Sequence, residues 1–296
     1  MSTTNAMKEK IKSLKIEYDK LKIGKESLLS IIDENEIPEN VYNSNAIENS
    51  TLTLKETEKI LLDMEVSRVV SLREVYEAKN LARVISYVKN KSKETEINKD
   101  IILFLHQMLI GGINDSIAGR LRKAGEYVRV GTHIAPPPEK VESMLDALLL
   151  EYINNLDLYF IDKISKFHLE FETIHPFNDG NGRIGRTIVC FQLQRLGFPM
   201  IIIRDKDKQN YYNSFHKFRE KQNIKFMEKV ITLSLLESLH KRITYLKGDN
   251  IITLSMYSKK INHSINSLLN SARRQTIPAF REKGIWKISE NFKLEK

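Results

Sequence analysis

The side chains best suited to chemistry lie in one run, residues 175–186, which reads HPFNDGNGRIGR. His175 has an ordinary pKa near neutrality, so it is suited to take a proton from a hydroxyl group. Asp179 offers the oxygen ligands that Mg²⁺ prefers. Arg183 and Arg186 are three residues apart, so on a helix they share a face and can clamp phosphate oxygens. These residues predict phosphoryl or nucleotidyl transfer.

Two helices are expected to position this run. Upstream, apolar residues at helical spacing predict a helix that delivers His175 to a loop opened by Pro176; they are Ile164, Phe167, Phe171 and Ile174. Residues 182–196 predict a second helix. The loop therefore feeds a helix N-terminus, where unpaired backbone N–H groups favour an anion. Three residues that permit close approach lie there, namely Gly180, Asn181 and Gly182.

The run resembles, at every fixed position, the HPFx(D/E)GNGRxxR signature of Fic-domain proteins, the Fic/Doc family. The resemblance implies transfer of AMP from ATP to a hydroxyl side chain of a target protein, with Mg²⁺ or Mn²⁺ and release of pyrophosphate. It implies that His175 is the general base and Asp179 the metal ligand. It also implies an anion hole formed by Gly180, Asn181 and Gly182. By the same resemblance, Arg183 binds the β-phosphate and Arg186 binds the γ-phosphate. A turn between two core helices is the structural alternative.

A second motif precedes the first by more than a hundred residues. Ser44 and Glu48 are spaced i, i+4, so on a helix they project from one face. With Asn49 they resemble the (S/T)xxxE(G/N) inhibitory motif of Fic proteins whose inhibitory helix precedes the domain in the same chain. The resemblance implies that Glu48 pairs with Arg186 and blocks a productive γ-phosphate pose. A carboxylate and a triphosphate cannot both occupy one guanidinium group. The alternative is a surface or capping role for Glu48.

A hairpin is expected before the motif. Residues 127–130 alternate like a strand, a turn follows, and three prolines end the segment before a helix at 139–154. An exposed strand edge can accept an extended peptide. This segment resembles the Fic flap that holds the target over His175. The resemblance implies that Gly131, Thr132 and His133 are flap residues. The alternative is a purely structural hairpin.

Aromatic residues mark the helix predicted at 207–222. The family often carries a Tyr-Tyr pair here that lines the nucleotide pocket, so the resemblance makes Tyr211 and Tyr212 candidates for ATP binding. Arg219 stands where an adenine-contacting asparagine is often found, which leaves base selectivity open. Tyrosines at helical spacing are otherwise core residues.

The chain is expected to comprise three parts. Residues 1–39 predict a helical arm of two short helices broken near Gly24. Residues 40–247 predict a mainly α-helical Fic domain, in which the inhibitory helix covers about 43–50. Within it Thr53 and Glu56 form a capping box, residues 66–90 predict a helix, and Asn98 caps another.

Residues 251–296 predict a winged helix-turn-helix-like module, with two short helices and a pair of strands. The segment holds nine Lys or Arg and three Asp or Glu, so it carries +6 of the net charge of +9 of the whole chain. This excess suggests DNA as a partner. The candidate contacts are Ser264, Asn266, Asn270, Arg273, Arg274 and Gln275. A packing or target-docking module is the alternative. Two rival functions remain, namely removal of AMP or another nucleotidyl transfer at the same site, and a DNA-binding regulator whose Fic domain senses nucleotide.

Composition bounds the remaining possibilities. The 296 residues are 41% apolar with 12 Gly and 7 Pro, which is typical of a helix-rich globular protein. The one cysteine, Cys190, can form no internal disulfide, so a reducing compartment fits. Neither a signal peptide nor a membrane span is expected. We therefore expect a cytoplasmic protein that modifies a target protein or itself, with a homodimer left open.

Overall fold

A computed structural model of the chain describes residues 3–64, 66 and 68–294. Most of these residues lie in α-helices, and two small antiparallel sheets are described with them. The mainly α-helical class predicted from the sequence is therefore confirmed. Among the described residues, no helix is both long enough and apolar enough to cross a membrane.

Two compact units account for the described residues. We call residue 3 with residues 37–230 the central unit, and residues 4–36 with residues 231–294 the terminal unit. The C-terminal segment is thus grouped with the first helix of the chain and with part of the long helix that precedes it.

The N-terminal segment forms two helices, as predicted, named α1 and α2; they span Asn5–Leu21 and Glu26–Ile47, with Gly24 between them. The second is longer than expected, since it continues through Pro38. Proline removes one backbone hydrogen bond from a helix, but the buried side chains of Val41 and Ile47 anchor the part beyond it. Ser44 therefore lies near the end of α2. The expectation of a separate helix over 43–50 is wrong.

Seven further helices lie in the central unit, and α10 begins there; they are α3 (Leu54–Leu61), α4 (Leu72–Lys91), α5 (Lys99–Ile110), α6 (Pro138–Asn154), α7 (Phe160–Ile174), α8 (Asn181–Arg195), α9 (Lys208–Lys221) and α10 (Lys225–Lys247). The capping box of Thr53 and Glu56 is present. The side chain of Asn98 caps α5. Ser71 caps α4 and Val69 is fully exposed, so α4 begins later than the predicted residue 66.

Helix α8 runs through the middle of the central unit. Every residue from Arg183 to Gln194 is buried. Helix α7 delivers the chain to the loop before it and packs closely against α8. The candidate site therefore lies at the N-terminus of the most buried helix of this unit, where surrounding side chains fix its position.

The predicted hairpin is present and short. Strands β1 (Arg129–Val130) and β2 (His133–Ile134) pair antiparallel around residues 131–132. Val130 and Ile134 are exposed, so the paired segment stands at the surface of the central unit.

The terminal unit contains α1, the remaining parts of α2 and α10, and a compact module formed by β3 (Ile251–Thr253), α11 (Leu254–Lys260), α12 (Ile265–Arg273), β4 (Phe280–Glu282) and β5 (Ile285–Ser289). Its sheet is antiparallel in the order β3-β5-β4. Arg242 on α10 is fully buried and pairs with Asp33 at 2.5 Å and Glu36 at 2.6 Å. This triad ties α10 to α2 within the unit.

Candidate active site

The loop between α7 and α8 reverses the chain through two left-handed residues. His175, with φ 52°, ends α7, and Gly180, with φ 83°, precedes α8. The left-handed conformation costs free energy for histidine, so contacts in the surrounding structure must restrain the loop. Asn181 supplies part of that restraint, because its side chain accepts from the N–H of Phe177 at 2.9 Å and donates to its carbonyl at 2.7 Å. The Asn181 side chain thus shapes the loop.

Two residues that the sequence analysis did not single out hold this loop. His106 is buried and stacks on Phe177 with ring centroids 3.7 Å apart. Its Nδ1 accepts from the N–H of Gly119 and its Nε2–H donates to the carbonyl of Asp179, each at 3.0 Å. Burial lowers the pKa of His106 to about 4, so the ring is neutral. Arg122 donates to the carbonyl of His175 at 2.8 Å.

The imidazole of His175 is mostly buried, with its Nδ1 3.8 Å from Glu172 Oε2. Burial lowers the pKa of His175 to about 4. A neutral imidazole is the form that can accept a proton. The predicted base is therefore in its proton-accepting form near pH 7.

Asp179 and Arg183 belong to a closed ring of four charged side chains. Arg183 donates to Asp179 at 3.0 Å and pairs with Glu77 at 3.1 Å. Arg73 pairs with Glu77 at 3.0 Å and with the second oxygen of Asp179. Burial alone would raise the pKa of Asp179, but Arg183 and Arg73 outweigh it and hold that pKa below its usual value. We call these four residues the charge ring.

Arg186 is buried and contacted by residues 44–48, the segment predicted to be inhibitory. Its Nε donates to Ser44 Oγ at 3.0 Å, and its Nη2 donates to the Ser44 carbonyl at 2.8 Å and to Glu48 Oε1 at 2.9 Å. Burial opposes the charge, but Tyr211 and Glu48 outweigh it and raise the pKa of Arg186. The structure therefore brings the two sequence motifs together through one guanidinium group.

A helix end positions Glu48. Helix α2 stops at Ile47, and Asn49 adopts the left-handed conformation with φ 66°. Asparagine and glycine tolerate this conformation best, which gives a physical reason for the residue that follows the glutamate. The hydroxyl of Tyr212 donates to the Ile47 carbonyl at 2.6 Å. Tyr212 therefore contacts the C-terminal end of α2.

Behind the site lies a buried acid that the sequence analysis also missed. Glu172 is almost fully buried, and burial together with the nearby charge of Glu48 raises its pKa to about 8. A Cβ at Gly185 would overlap Glu172 Oε1 and lie 2.8 Å from His168 Cε1. Tyr211 contacts the same group of side chains, with its hydroxyl 2.9 Å from His168 Nε2 and 3.4 Å from Arg186 Nη1. Tyr211 thus lies behind Arg186 as a core residue.

The three predicted flap residues differ in their environment. Gly131 and Thr132 are exposed at the turn. His133 is partly buried, and its Nε2–H donates to the carbonyl of Thr173 at 2.9 Å. His133 therefore fastens the hairpin to the end of α7. Arg219 is likewise partly buried, with its guanidinium 6.0 Å from the ring of Phe215.

Comparison with known proteins agrees with this geometry. Residues 96–193 match the model of the Fic/DOC family. A Fic-domain-containing signaling protein from Bacteroides thetaiotaomicron superposes with a TM-score of 0.73 at 27% identity, over 81% of this chain and 98% of that chain. Residues 96–193 therefore match the Fic/DOC family, and the fold resembles that of a Fic-domain protein.

Two proteins of similar sequence are named for an enzymatic activity. The protein adenylyltransferase Fic of Nematostella vectensis is 34% identical over 179 residues, which are 59% of this chain and 41% of that protein. The protein adenylyltransferase fic-1 of Caenorhabditis elegans is 28% identical over 261 residues, 86% of this chain and 47% of that protein. The chain thus spans less than half the length of these relatives.

Proposed function

We propose that this chain is a protein adenylyltransferase that transfers AMP from ATP to a hydroxyl side chain and is restrained by its own Glu48. The observation that carries the proposal is the meeting of Arg186 with both Glu48 and Ser44, at a site that also holds a neutral histidine and a helix N-terminus. The adenylyltransferases of similar sequence support the chemistry.

The substrate would lie along the first turn of α8. The backbone amides of Gly180, Asn181 and Gly182 face the α- and β-phosphates, since the first amides of a helix have no partner within it. Arg183 and Arg186 bind the outer phosphates. Tyr212 is a candidate for the wall of the nucleotide pocket, whereas the buried Tyr211 supports Arg186 from behind.

Asp179 fits a magnesium ion, or manganese in its place. Its carboxylate already attracts two cationic side chains, and no cluster of three ligating side chains occurs among the described residues. Mg²⁺ is commonly held by one or two carboxylates and the substrate phosphates, which this donor set can supply. The ion would neutralise phosphate charge during transfer.

In the reaction, His175 accepts the proton of a Ser, Thr or Tyr hydroxyl. The hydroxyl oxygen forms a bond to the α-phosphorus, the bond to the bridging oxygen of the β-phosphate breaks, and pyrophosphate leaves. The target segment would pair with the hairpin at residues 129–134, whose edge is exposed. The target is another protein or a second copy of this chain.

Incubation with α-³²P-labelled ATP and Mg²⁺ tests the proposal. We expect weak self-labelling of the wild type, at least about tenfold more in Glu48→Gly because its carboxylate no longer occupies Arg186, and none in Glu48→Gly/His175→Ala. Glu48→Gln, which keeps the shape and removes the charge, should fall between the first two. Labelling that Glu48→Gly leaves unchanged would refute the restraint, and labelling that survives His175→Ala would refute the base.

Removal of AMP is the second candidate, because Glu48 is partly exposed beside the site and could orient a water. A protein labelled by Glu48→Gly serves as the substrate. Release of AMP by the wild type but not by Glu48→Gly would favour removal as the wild-type activity. Labelling with another nucleoside triphosphate in place of ATP would instead identify a different donor.

A further inference from the structure

The terminal unit carries a surface that the transfer reaction does not use. Residues 250–281 contain no Asp or Glu, but they contain five basic residues, namely Lys259, Lys260, Arg273, Arg274 and Arg281. A stretch of 32 residues with only positive charge, in a chain that is 29% charged, favours a polyanionic partner.

Two helices in this stretch form a helix-turn-helix. Helices α11 and α12 are joined by residues 261–264, in which Asn262 is left-handed with φ 51°. The hydroxyl of Ser258 donates to the carbonyl of His263 at 2.6 Å, and the side chain of Ser264 caps α12. A connection of this length with a left-handed residue is typical of the motif, whose second helix enters the major groove of DNA.

Helix α12 has two contrasting faces. Leu268 and Ala272 are buried in the apolar cluster of the module. The opposite face is exposed and entirely polar or basic, consisting of Asn266, Ser267, Asn270, Arg273 and Arg274. Protein interfaces have an apolar or aromatic centre, which this face lacks. Its side chains instead match base edges, because asparagine pairs with adenine and arginine with guanine or phosphate.

A second contact element accompanies the helix. Strands β4 and β5 are joined by Lys283 and Gly284, both with positive φ, as in the two-residue type I′ turn. Arg281 at the base of this hairpin is held by Glu237 at 2.7 Å and stacks 4.7 Å from the ring of Trp286. The hairpin is therefore a supported wing with a lysine at its exposed tip.

We propose that the terminal unit binds double-stranded DNA, with α12 in the major groove and the Lys283-Gly284 turn against the phosphate backbone. Asn266 and Asn270 contact base edges, and Arg274 contacts phosphate. Arg273 lies between these two kinds of contact on the same face. The proposal does not depend on the transfer reaction, so His175→Ala should bind DNA as the wild type does.

Fluorescence anisotropy of the full chain with labelled duplexes of random sequence provides the first test. We expect binding that weakens linearly on a log-log plot as salt rises. Arg273→Gln/Arg274→Gln should reduce that slope by about 1 to 2, since each lost phosphate contact removes about 0.9. Lys206→Gln/Lys229→Gln, which removes two exposed charges from the central unit, is the matched control and should leave the slope unchanged.

Sequence selection provides the second test. Asn270→Ala should relax the preferred sequence at one position and keep the salt slope. An RNA duplex of that sequence should not compete, because its major groove is too narrow for a helix. The proposal is overturned if the wild type does not bind duplex DNA at about 50 mM salt, if the arginine pair and the control pair change the slope equally, or if duplex RNA competes equally. Self-association that requires Arg273 and Arg274, without DNA binding, would assign the surface to a second copy instead.

Discussion

The carboxylate of Glu48 occupies the space that any side chain at Gly182 would need. A Cβ at position 182 would overlap Glu48 Oε1 and lie 3.1 Å from its Cδ. The backbone of Gly182 is helical, so any residue could adopt its conformation. Glycine is needed here because there is no space for a side chain. Glu48 reaches Arg186 across the first turn of α8, over the amides proposed to bind phosphate.

Gly182→Ala should therefore displace Glu48 and mimic part of the Glu48→Gly effect. In the His175→Ala background, we expect ATP affinity to rise in each single variant and the double variant to gain less than the sum, with a coupling of about 1 kcal/mol or more. Calorimetric titration measures each affinity. Gly185→Ala is the control, because its Cβ meets Glu172 and not Glu48. Strictly additive effects of Gly182→Ala and Glu48→Gly would contradict this account.

The charge ring predicts a second restraint. Arg73 occupies an oxygen of the proposed metal ligand Asp179 and is itself largely exposed. Arg73→Gln should tighten binding of the Mg²⁺ complex of ATP by up to about fivefold, because a partly exposed ion pair contributes up to about 1 kcal/mol. Titration of His175→Ala with ATP, with and without Mg²⁺, gives the readout. Lys79→Gln on the same helix is the control, and an equal gain without Mg²⁺ would argue against competition at Asp179.

The low pKa of His175 predicts a transfer rate that persists in mild acid. The imidazole gains its proton near pH 4, not near 6.5, so kcat/KM for self-labelling by Glu48→Gly should stay nearly constant from pH 8 to about 6. Glu48→Gly/His175→Ala, titrated with ATP over the same range, corrects for protonation of the substrate. An acid limb at pH 6.5 or above would mean that the imidazole is readily protonated in the working site.

Burial of Glu172 predicts a pH-dependent stability. Its folded-state pKa near 8 exceeds the ordinary 4.5, so between these values the folded chain holds a proton that the unfolded chain has lost. The free energy of unfolding should therefore fall as pH rises from 5 to 8, by a few kcal/mol at about 1.4 kcal/mol per pKa unit. Urea denaturation should show this slope in the wild type and a much flatter one in Glu172→Gln. The exposed control Glu139→Gln should retain the wild-type slope.

The candidate site residues that the sequence predicts are mostly close neighbours along the chain. His175 to Arg186 form one loop and one helix turn, so their types and spacing carry the signal. Glu48 is a candidate because its motif resembles a known one, and the structure brings its carboxylate to Arg186. The boundary of α2 was not found, because burial on both sides of Pro38 outweighs the local preference of proline.

The residues that the sequence analysis missed make their contacts with residues that are distant in the sequence. Arg73 pairs with Asp179 across 106 positions of the chain, and Arg122 holds the carbonyl of His175 across 53. In the sequence, each of these arginines looks like an ordinary solvated residue. Glu172 looks like the polar side of α7 in the sequence, and only the fold encloses it. The winged helix-turn-helix-like assignment of residues 251–296 stays a prediction, although the order of its helices and strands accords with it.

The charge ring and the Arg186–Glu48 pair together hold three guanidinium groups and three carboxylates, so their formal charges cancel. A triphosphate that enters the proposed site would therefore meet a neutral assembly, in which each arginine exchanges a carboxylate partner for a phosphate oxygen. Loss of Glu48 leaves this assembly with one positive charge. The restraint proposed for Glu48 would thereby also change how strongly, and at what ionic strength, the site attracts its substrate from a distance.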